Sequence, residues 1–307
     1  MLEVIEKRKA LAPALEVDGS LGIEEIRAVY NQERSWWNEI KPDLREVEDL
    51  EVDGPLRAIP LRIYRPVGAA APPTLIYLHG GGWVVGNLET HDRVMRLLCE
   101  GAQVNVVGID YALSPEFKLP TAIEEVLHVW QWIQSSGPSR GLNGERIALG
   151  GDSAGANLSV AVTQILHRSK VGAVKFLLLY YGAFGLSTSE SWKEFGKPEY
   201  EFTWEEMVFY LNSYLGSENM RADPRYNVLA GDIDCLPPAF IAAAECDPLC
   251  DDSKALHDAM TASDRAAELK IYSGVLHGFI HYSRMLETAS RALEDGAQAL
   301  KNTLRTV

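Results

Sequence analysis

The sequence of 307 residues is 47% hydrophobic and includes seven tryptophans, which is enough to bury a large core, most simply that of one domain with insertions, with two domains as the alternative. Its formal net charge of −14, from 29 basic and 43 acidic residues, disfavours nucleic acid and anionic membranes as partners. Met1 to Ala14 mix charges without a sustained apolar stretch, so we expect neither a signal peptide nor a lipid anchor. The longest apolar stretch, from Val171 to Phe184, is too short to span a bilayer, so we expect a cytoplasmic protein with no membrane insertion.

The first predicted elements along the chain are helices and a hairpin. Residues 1 to about 45 have helical patterning and an aromatic cluster at Tyr30, Trp36 and Trp37. Glu46 to Tyr64, which contains no helical pattern, is typical of an antiparallel hairpin that leads into the rest of a sheet.

From there on, short apolar runs alternate with helical patterns. Most of the runs are continuous, as in strands that are buried on both faces. The predicted strands are Leu61–Tyr64, Thr74–Leu78, Val104–Ile109, Ile147–Gly150, Val174–Tyr180, Ala239–Ala244 and Glu268–Tyr272. The predicted helices are Asn87–Glu100, Thr121–Ser135, Ala154–Arg168, Asp251–Thr261 and a final run from Tyr282 to Leu293. This alternation predicts a mostly parallel sheet with helices on both faces.

Residues 185 to about 230 interrupt the alternation with an insertion rich in aromatic side chains. Thr203 and Glu206 have the spacing of an N-cap and its N3 partner, for a helix that Gly216 can end. We expect about 1–45 and 185–230 to form a helical cap over the carboxyl edge of the sheet, within a single domain of residues 1–307. Packing of one helix against another is the alternative role for these aromatic residues.

Two glycine-rich motifs carry the chemical prediction. Gly151 to Gly155 has the G-x-S-x-G pattern of a nucleophile elbow, in which a serine occupies a tight turn between a strand and a helix. Ser139 also fits this pattern, but a helical run precedes it and a polar turn follows it, so Ser153 is the predicted nucleophile. His79 to Gly82 places three glycines after a predicted strand, where backbone N–H groups can face a developing oxyanion. Together the motifs predict acyl transfer.

A serine nucleophile needs a histidine that takes its proton and an acid that orients this histidine. In a nucleophile-elbow fold the acid and then the histidine follow the serine, each on a loop after a later strand. Only His277 and His281 follow the last predicted strand, and we favour His277 because Gly278 permits a sharp loop there. The i, i+4 spacing of the two histidines resembles a zinc site, but no adjacent glutamate completes the metalloprotease pattern.

Asp247 is the favoured acid, because it follows a predicted strand and precedes Pro248, which holds it in an extended conformation. Glu245, Asp251 and Asp252 are the alternatives. The last two better fit the first turn of the next helix, where a carboxylate offsets the helix dipole.

The oxyanion hole is expected to combine the N–H of Ala154, at a helix start, with those of Gly81 and Gly82. We expect His79 to fix the glycine loop by hydrogen bonding and not to act as a second base.

The four cysteines predict free thiols, since they are too few and too irregularly spaced for a disulfide framework. Cys246, Cys250 and the later His257 suggest a metal site, but no second ligand pair at a recognisable spacing supports it.

These motifs resemble those of the α/β-hydrolases, and specifically of the hormone-sensitive-lipase-like esterases, bacterial esterase family IV. The matching pieces are His79–Gly82, Tyr111–Glu116, Gly151–Gly155, Asp247–Leu249 with Asp251, and His277–Phe279. The resemblance implies an α/β-hydrolase fold with a mostly parallel eight-stranded sheet, flanking helices and a helical cap. It also implies a triad of Ser153, Asp247 and His277, and oxyanion donors at Gly81, Gly82 and Ala154.

The expected function is that of a serine carboxylesterase that cleaves short- to medium-chain acyl esters through an acyl-enzyme intermediate. An amidase, thioesterase or lactonase with the same residues is the first alternative, and a non-catalytic small-molecule receptor on a hydrolase fold is the second. Bulky Trp83 beside the glycine run favours short acyl chains. The chemistry requires no metal, nucleotide or organic cofactor, and the resemblance allows a homodimer.

Overall fold

The computed structural model describes residues 1–12, 21–68, 72–186 and 188–306, so residues 13–20 and 187 of the two segments predicted to form a cap lie outside the described residues. Within the described part, eight strands form one sheet in the order β1-β2-β4-β3-β5-β6-β7-β8. The strands are β1 (Glu46–Asp53), β2 (Ala58–Arg65), β3 (Thr74–Leu78), β4 (Asn105–Ile109), β5 (Ile147–Asp152), β6 (Leu177–Tyr180), β7 (Ala239–Cys246) and β8 (Ala267–Leu276). β1 pairs antiparallel with β2 as the predicted hairpin, β2 pairs antiparallel with β4, and the pairs from β4 through β8 are parallel.

Nine α-helices surround this sheet in the described residues. They are α1 (Leu2–Leu11), α2 (Ile23–Trp37), α3 (Asp92–Ala102), α4 (Thr121–Ser135), α5 (Ala154–Ser169), α6 (Glu190–Phe195), α7 (Trp204–Tyr214), α8 (Cys250–Ala262) and α9 (Glu287–Thr306). None of them combines the length and the apolar character that crossing a membrane requires.

The central strand β3 separates two hydrophobic clusters. Leu75 and Tyr77 pack with side chains of α3 and α9, whereas Ile76 and Leu78 pack with side chains of α4, α5 and α8. Because successive side chains of a strand point to opposite faces, a strand covered on both faces is apolar throughout. This explains the continuous apolar run that predicted β3 with its observed bounds.

Two predicted helix starts are wrong. The helix predicted from Asn87 begins at Asp92, because the side chains of Asn87 and Thr90 each accept a hydrogen bond from the other residue's backbone N–H and hold a turn. The helix predicted from Tyr282 begins at Glu287, since Phe279–Tyr282 forms a short 3₁₀ turn after Gly278, whose φ is +75°.

The first turn of α7 has the predicted capping arrangement. The Thr203 hydroxyl accepts a hydrogen bond from the Glu206 N–H at 3.2 Å, and the Glu206 carboxylate accepts one from the Thr203 N–H at 2.8 Å. These bonds satisfy N–H groups that have no partner inside the helix. The helix ends at Tyr214, where the next residue becomes extended, shortly before the predicted stop at Gly216.

Candidate active site

Ser153 occupies the turn between β5 and α5. Its φ of +52° is strained for a residue with a side chain, and its N–H donates a hydrogen bond to the carbonyl oxygen of Tyr180 at 2.9 Å. The turn depends on Gly155, because a Cβ atom there would collide with the carbonyl oxygen of Leu78. The glycine pattern around the serine therefore allows α5 to start directly against β3, with the hydroxyl at the carboxyl edge of the sheet.

The structure brings the other two predicted residues to this hydroxyl. His277 follows β8, and its Nε2 lies 3.0 Å from Ser153 Oγ. Its Nδ1 lies 2.8 Å from Oδ2 of Asp247, which follows β7 and is fully buried. The other carboxylate oxygen of Asp247 accepts the N–H of Leu249 at 2.8 Å, so the acid is held at both oxygens. With the Nδ1 proton donated to Asp247, Nε2 is free to accept the serine proton.

Two aromatic rings enclose the imidazole of His277. The ring of Phe202 stacks on it with the centroids 4.7 Å apart, and the ring of Tyr181 meets it edge-on at 4.9 Å. The His277 side chain keeps 17% of its surface exposed. The packing restricts the orientation of the ring while leaving a route for a substrate or water.

The predicted oxyanion donors face the same cavity as Ser153. Gly81 and Gly82 have φ values of +119° and +58°, and no described residue accepts a hydrogen bond from either N–H. A Cβ at Gly82 would collide with the ring of Tyr210. Ala154 is the first residue of α5, so its N–H has no acceptor inside the helix.

The four candidate acids have different surroundings. Glu245 accepts the N–H of Gly274, and Asp251 and Asp252 lie in the first turn of α8 as predicted. Asp252 does more than offset the helix dipole: its Oδ1 accepts the three successive backbone N–H groups of residues 184–186 after β6. Burial raises the pKa of Asp252 to about 7. Of the four, Asp247 is the one hydrogen-bonded to His277.

A second group of buried polar side chains centres on Asp152. The Tyr77 hydroxyl and the Gly80 N–H donate to its Oδ1 at 2.8 and 3.1 Å. His91 Nε2 lies 3.3 Å from Oδ1, and His281 Nε2 lies 3.6 Å from Oδ2. Burial opposes ionisation of Asp152, but the two histidines outweigh it and hold its pKa well below the usual range. Burial, together with the nearby Arg34 guanidinium, lowers the pKa of His281 well below its ordinary value.

Within the described residues, His91, Asp152 and His281 are the group that could hold a metal ion, since their ligand atoms lie within 4.8 Å of one another. Asp152 lies within ion-pair distance of both imidazoles, and its Oδ1 accepts hydrogen bonds from Tyr77 and Gly80. The four cysteines are free thiols, and the fully buried Cys99 has a pKa raised to about 12 by burial.

His79 lies beside this group and contacts the glycine loop. Its Nδ1 is 2.9 Å from the carbonyl oxygen of Gly80, and its ring stacks on Tyr111 with the centroids 4.2 Å apart. Burial lowers the pKa of His79 to about 3, so it is neutral at physiological pH. These contacts are those of the loop-fixing residue that the sequence predicts.

A cavity of about 630 Å³ lies over Ser153. The N-terminal segment contributes Arg8, Tyr30 and Arg34 to its wall, and the insertion contributes Phe202 and Tyr210. An ion pair between Arg8 and Glu201 joins the two segments. Both regions that interrupt the strand–helix alternation therefore line the space where a substrate would meet the hydroxyl.

A family model for the alpha/beta hydrolase fold matches residues 75–281, which is more than half of the chain. The chain belongs to the α/β-hydrolase family. An acetyl esterase of Salmonella paratyphi B is 40% identical over 309 residues, which covers 100% of this chain and 94% of that protein. An acetyl esterase of Salmonella typhi is 39% identical with the same coverage.

Solved structures of esterases are also similar to this chain. A hyperthermophilic esterase from the archaeon Pyrobaculum calidifontis superposes with a TM-score of 0.92 at 30% identity, covering 98% of this chain and 97% of that one. A thermostable carboxylesterase cloned from a metagenomic library has a TM-score of 0.90 at 30% identity, covering 93% and 98%. Together with the motifs, these relatives place this α/β-hydrolase among the hormone-sensitive-lipase-like esterases, which are carboxylic ester hydrolases.

Three features of the site in this α/β-hydrolase have no signal in the local sequence. Phe202 was one aromatic residue among many in the insertion, and nothing in its local pattern indicated contact with His277. His91 and His281 carry no motif, although Asp152 inside the nucleophile pentapeptide is a buried acid that requires partners. Arg34 lies in the region predicted to be helical, and only its burial in the fold distinguishes it from a surface arginine.

Proposed function

We propose that this esterase hydrolyses short-chain acyl esters, acetyl esters above all, through an acyl-enzyme formed on Ser153. The observation that carries the proposal is the continuous hydrogen-bonded line from Asp247 through His277 to Ser153, with contacts of 2.8 and 3.0 Å. This arrangement supplies an alcohol, a base and an orienting acid within hydrogen-bonding reach.

In the first half of the proposed reaction, His277 Nε2 takes the proton of Ser153 as Oγ attacks the ester carbonyl carbon. The carbonyl oxygen becomes an oxyanion, which the N–H groups of Gly81, Gly82 and Ala154 stabilise. The imidazolium, stabilised by Asp247, then gives its proton to the leaving alcohol, and the acyl group remains on the serine.

In the second half, water replaces the alcohol. His277 takes a proton from the water, the hydroxide attacks the acyl carbon, and the same N–H groups hold the second oxyanion. Collapse of this intermediate returns the proton to Ser153 and releases the acid. All of these steps use groups of the chain itself.

The preference for short acyl groups has two supports. Trp83 is buried beside the glycine loop, where its ring stacks on Tyr214 with the centroids 4.5 Å apart, so it is a rigid part of the cavity wall. The Salmonella relatives are acetyl esterases. We further propose that the described parts of 1–45 and 185–230 act as a cap, because their side chains line the cavity above Ser153.

Hydrolysis of p-nitrophenyl esters from C2 to C16 tests the proposal. We expect the highest kcat/KM at C2 to C4 and a fall of about 10⁵- to 10⁶-fold in kcat for Ser153→Ala. Ser139→Ala, which removes the exposed serine of the second pattern match, is the control and retains full activity. An optimum at C12 or longer contradicts the short-chain proposal, and undiminished turnover by Ser153→Ala contradicts the nucleophile. Matched amides, thioesters and lactones in the same assay identify the bond that is cleaved fastest.

A further inference from the structure

Arg34 lines the cavity, and two of its three guanidinium nitrogens, Nε and Nη2, donate no hydrogen bond to a described residue. The residue lies on α2 and is only 6% exposed. Its Nη1 donates to the Tyr282 hydroxyl at 3.1 Å. The enclosed Nε makes no hydrogen bond, since Glu33 Oε2, at 3.3 Å, is not aligned to accept one.

The Nη2 atom of the same group also has no hydrogen-bond acceptor among the described residues. It lies beside the loop that carries His277, where a Cβ built on Gly278 would be 3.7 Å from it. Nε and Nη2 form one edge of the planar guanidinium, with two nearly parallel N–H bonds. Such an edge is shaped to donate to one or two oxygen atoms.

The surroundings hold this edge in place. The guanidinium carbon lies 4.9 Å from the ring centre of Tyr30 and 5.4 Å from that of Tyr282, both within range of cation–π attraction. Arg8, the other guanidinium on the wall, pairs with both Glu33 and Glu201. A donor already fixed by packing loses little entropy when a ligand binds.

The charges nearby indicate what kind of oxygen fits. Arg8 and Arg34 are balanced by Glu33 and Glu201, so this cluster on the cavity wall carries no net charge in its ordinary protonation state. A buried carboxylate ligand would add one uncompensated negative charge. A neutral ether, carbonyl or hydroxyl oxygen accepts the same hydrogen bonds without that penalty.

We propose that Arg34 is a specificity residue that binds a neutral acceptor oxygen of the substrate through Nη2, the guanidinium nitrogen beside the loop that carries His277. This inference rests on the proposed function: if the acyl group is acetyl, the additional oxygen belongs to the alcohol part of the ester. The preferred substrates are then acetates of oxygen-bearing alcohols, such as glycols and polyols, over acetates of plain alkyl alcohols of equal length.

Two acetates with the same number of heavy atoms test this inference. Each kcat/KM, for 2-methoxyethyl acetate and for butyl acetate, is divided by the alkaline hydrolysis rate of the same ester, which removes the intrinsic reactivity difference. We expect the corrected ratio to favour the ether ester by about tenfold or more, the usual effect of a hydrogen bond to a charged group. Arg34→Met brings the ratio close to one, mainly through a higher KM for the ether ester.

Two further variants keep this test independent of folding. Arg34→Lys retains the charge beside Glu33 but lacks the planar group that holds an N–H at the position of Nη2, so it also loses most of the preference. Arg140→Met removes an exposed arginine that pairs with Glu48 and does not line the cavity, and it keeps the wild-type ratio. Circular dichroism verifies that each variant is folded.

The outcomes separate the inference from the function on which it rests. Equal corrected kcat/KM values for the two esters in the wild type, or an unchanged ratio in both Arg34 variants, overturn the specificity role and leave the esterase mechanism intact. Faster turnover of acetoxyacetate than of the ether ester overturns the choice of a neutral oxygen. No hydrolysis of any of the three esters by the folded wild type overturns the proposed function itself.

Discussion

Two groups of aspartate and histidine lie at the same end of the sheet and differ in what their free atoms face. In the first, Asp247 holds one nitrogen of His277, and the other nitrogen faces Ser153 Oγ at 3.0 Å, on the wall of the cavity. A proton can therefore pass between the imidazole and a molecule in the cavity. The chemistry of this group is available to a ligand.

In the second group, Asp152 lies between His91 and His281, and all three are buried. Asp152 and His281 border the same cavity, but the other contacts of the carboxylate are with the Tyr77 hydroxyl and the Gly80 N–H, and the second ring nitrogen of His91 lies 2.9 Å from the buried Thr90 hydroxyl. The comparison teaches that pairing an acid with an imidazole does not make a catalytic group. What matters is whether the second ring nitrogen faces a hydroxyl on the cavity wall, as in His277, or a buried one, as in His91.

Replacing one histidine of each group by glutamine is expected to give the largest difference in kcat. We expect His277→Gln to lower kcat for p-nitrophenyl acetate by about 10⁵- to 10⁶-fold, because His277 is the one described residue whose side chain is hydrogen-bonded to Ser153 Oγ. His281→Gln removes a partner of Asp152 and is expected to lower kcat by less than about 100-fold. Similar losses in the two variants, both folded by circular dichroism, would remove the distinction between the groups.

Replacing Asp247 is expected to affect mainly activity, and replacing Asp152 is expected to affect mainly stability. Asp247→Asn leaves the geometry nearly intact but no longer favours the correct tautomer of His277, so kcat falls by about 10⁴-fold. Asp152→Asn breaks a buried charged network, and we expect the free energy of unfolding to fall by about 3 kcal/mol with a much smaller loss of kcat. Urea denaturation and steady-state kinetics on both variants measure the two quantities. An Asp152→Asn enzyme as inactive as Asp247→Asn would place both carboxylates in the chemistry.

The second group holds the glycine loop through the Gly80 N–H. A substitution in this loop tests how much the loop contributes to catalysis. Gly82→Ala places a Cβ against the ring of Tyr210 at a φ of +58°, which displaces the N–H groups. We expect kcat to fall by about 10²- to 10³-fold, the usual cost of one oxyanion donor. Gly141→Ala is the matched control, because Gly141 also has a positive φ but has open space around it, and its activity is expected to remain that of the wild type. A fully active Gly82→Ala enzyme argues against the proposed oxyanion hole.

The smallest expected effect concerns the pH dependence of stability. The pKa of His79 is lowered by burial from 6.5 to about 3, so below pH 6.5 the unfolded chain binds a proton that the folded chain does not. The wild type therefore loses stability relative to His79→Phe as the pH falls, by about 1.4 kcal/mol per pH unit. Urea denaturation of both proteins at several pH values between about 4.5 and 6.5 measures this difference. A constant difference would mean that His79 is not held neutral by burial.

Much of this fold could be predicted because local patterns agree with the final structure. β3 and α4 have their predicted bounds, since a strand covered on both faces is apolar throughout and an amphipathic helix repeats its apolar residues every three or four positions. The hairpin and the parallel order also follow from the pattern. The two wrong helix starts fall where side-chain or glycine turns replace the first helical turn, which apolar periodicity does not register.

The candidate site was predictable to the extent that chain order determines it. Ser153, Asp247 and His277 each follow a strand, and the carboxyl ends of parallel strands meet at one edge of the sheet. Contacts that depend on helix placement were not predictable. These contacts join segments that are distant in the sequence and carry no motif. They are Phe202 on His277, His281 on Asp152 and Arg34 on Tyr282.

The central claim is that Ser153 is the nucleophile of an acyl-enzyme, and covalent trapping tests it most directly. The protein is treated with a fluorophosphonate, digested and analysed by mass spectrometry. The account predicts one phosphonyl group on the peptide that contains Ser153, loss of esterase activity in proportion to labelling, and no adduct in Ser153→Ala. Labelling of a different serine, or full inactivation with Ser153 unmodified, would contradict it.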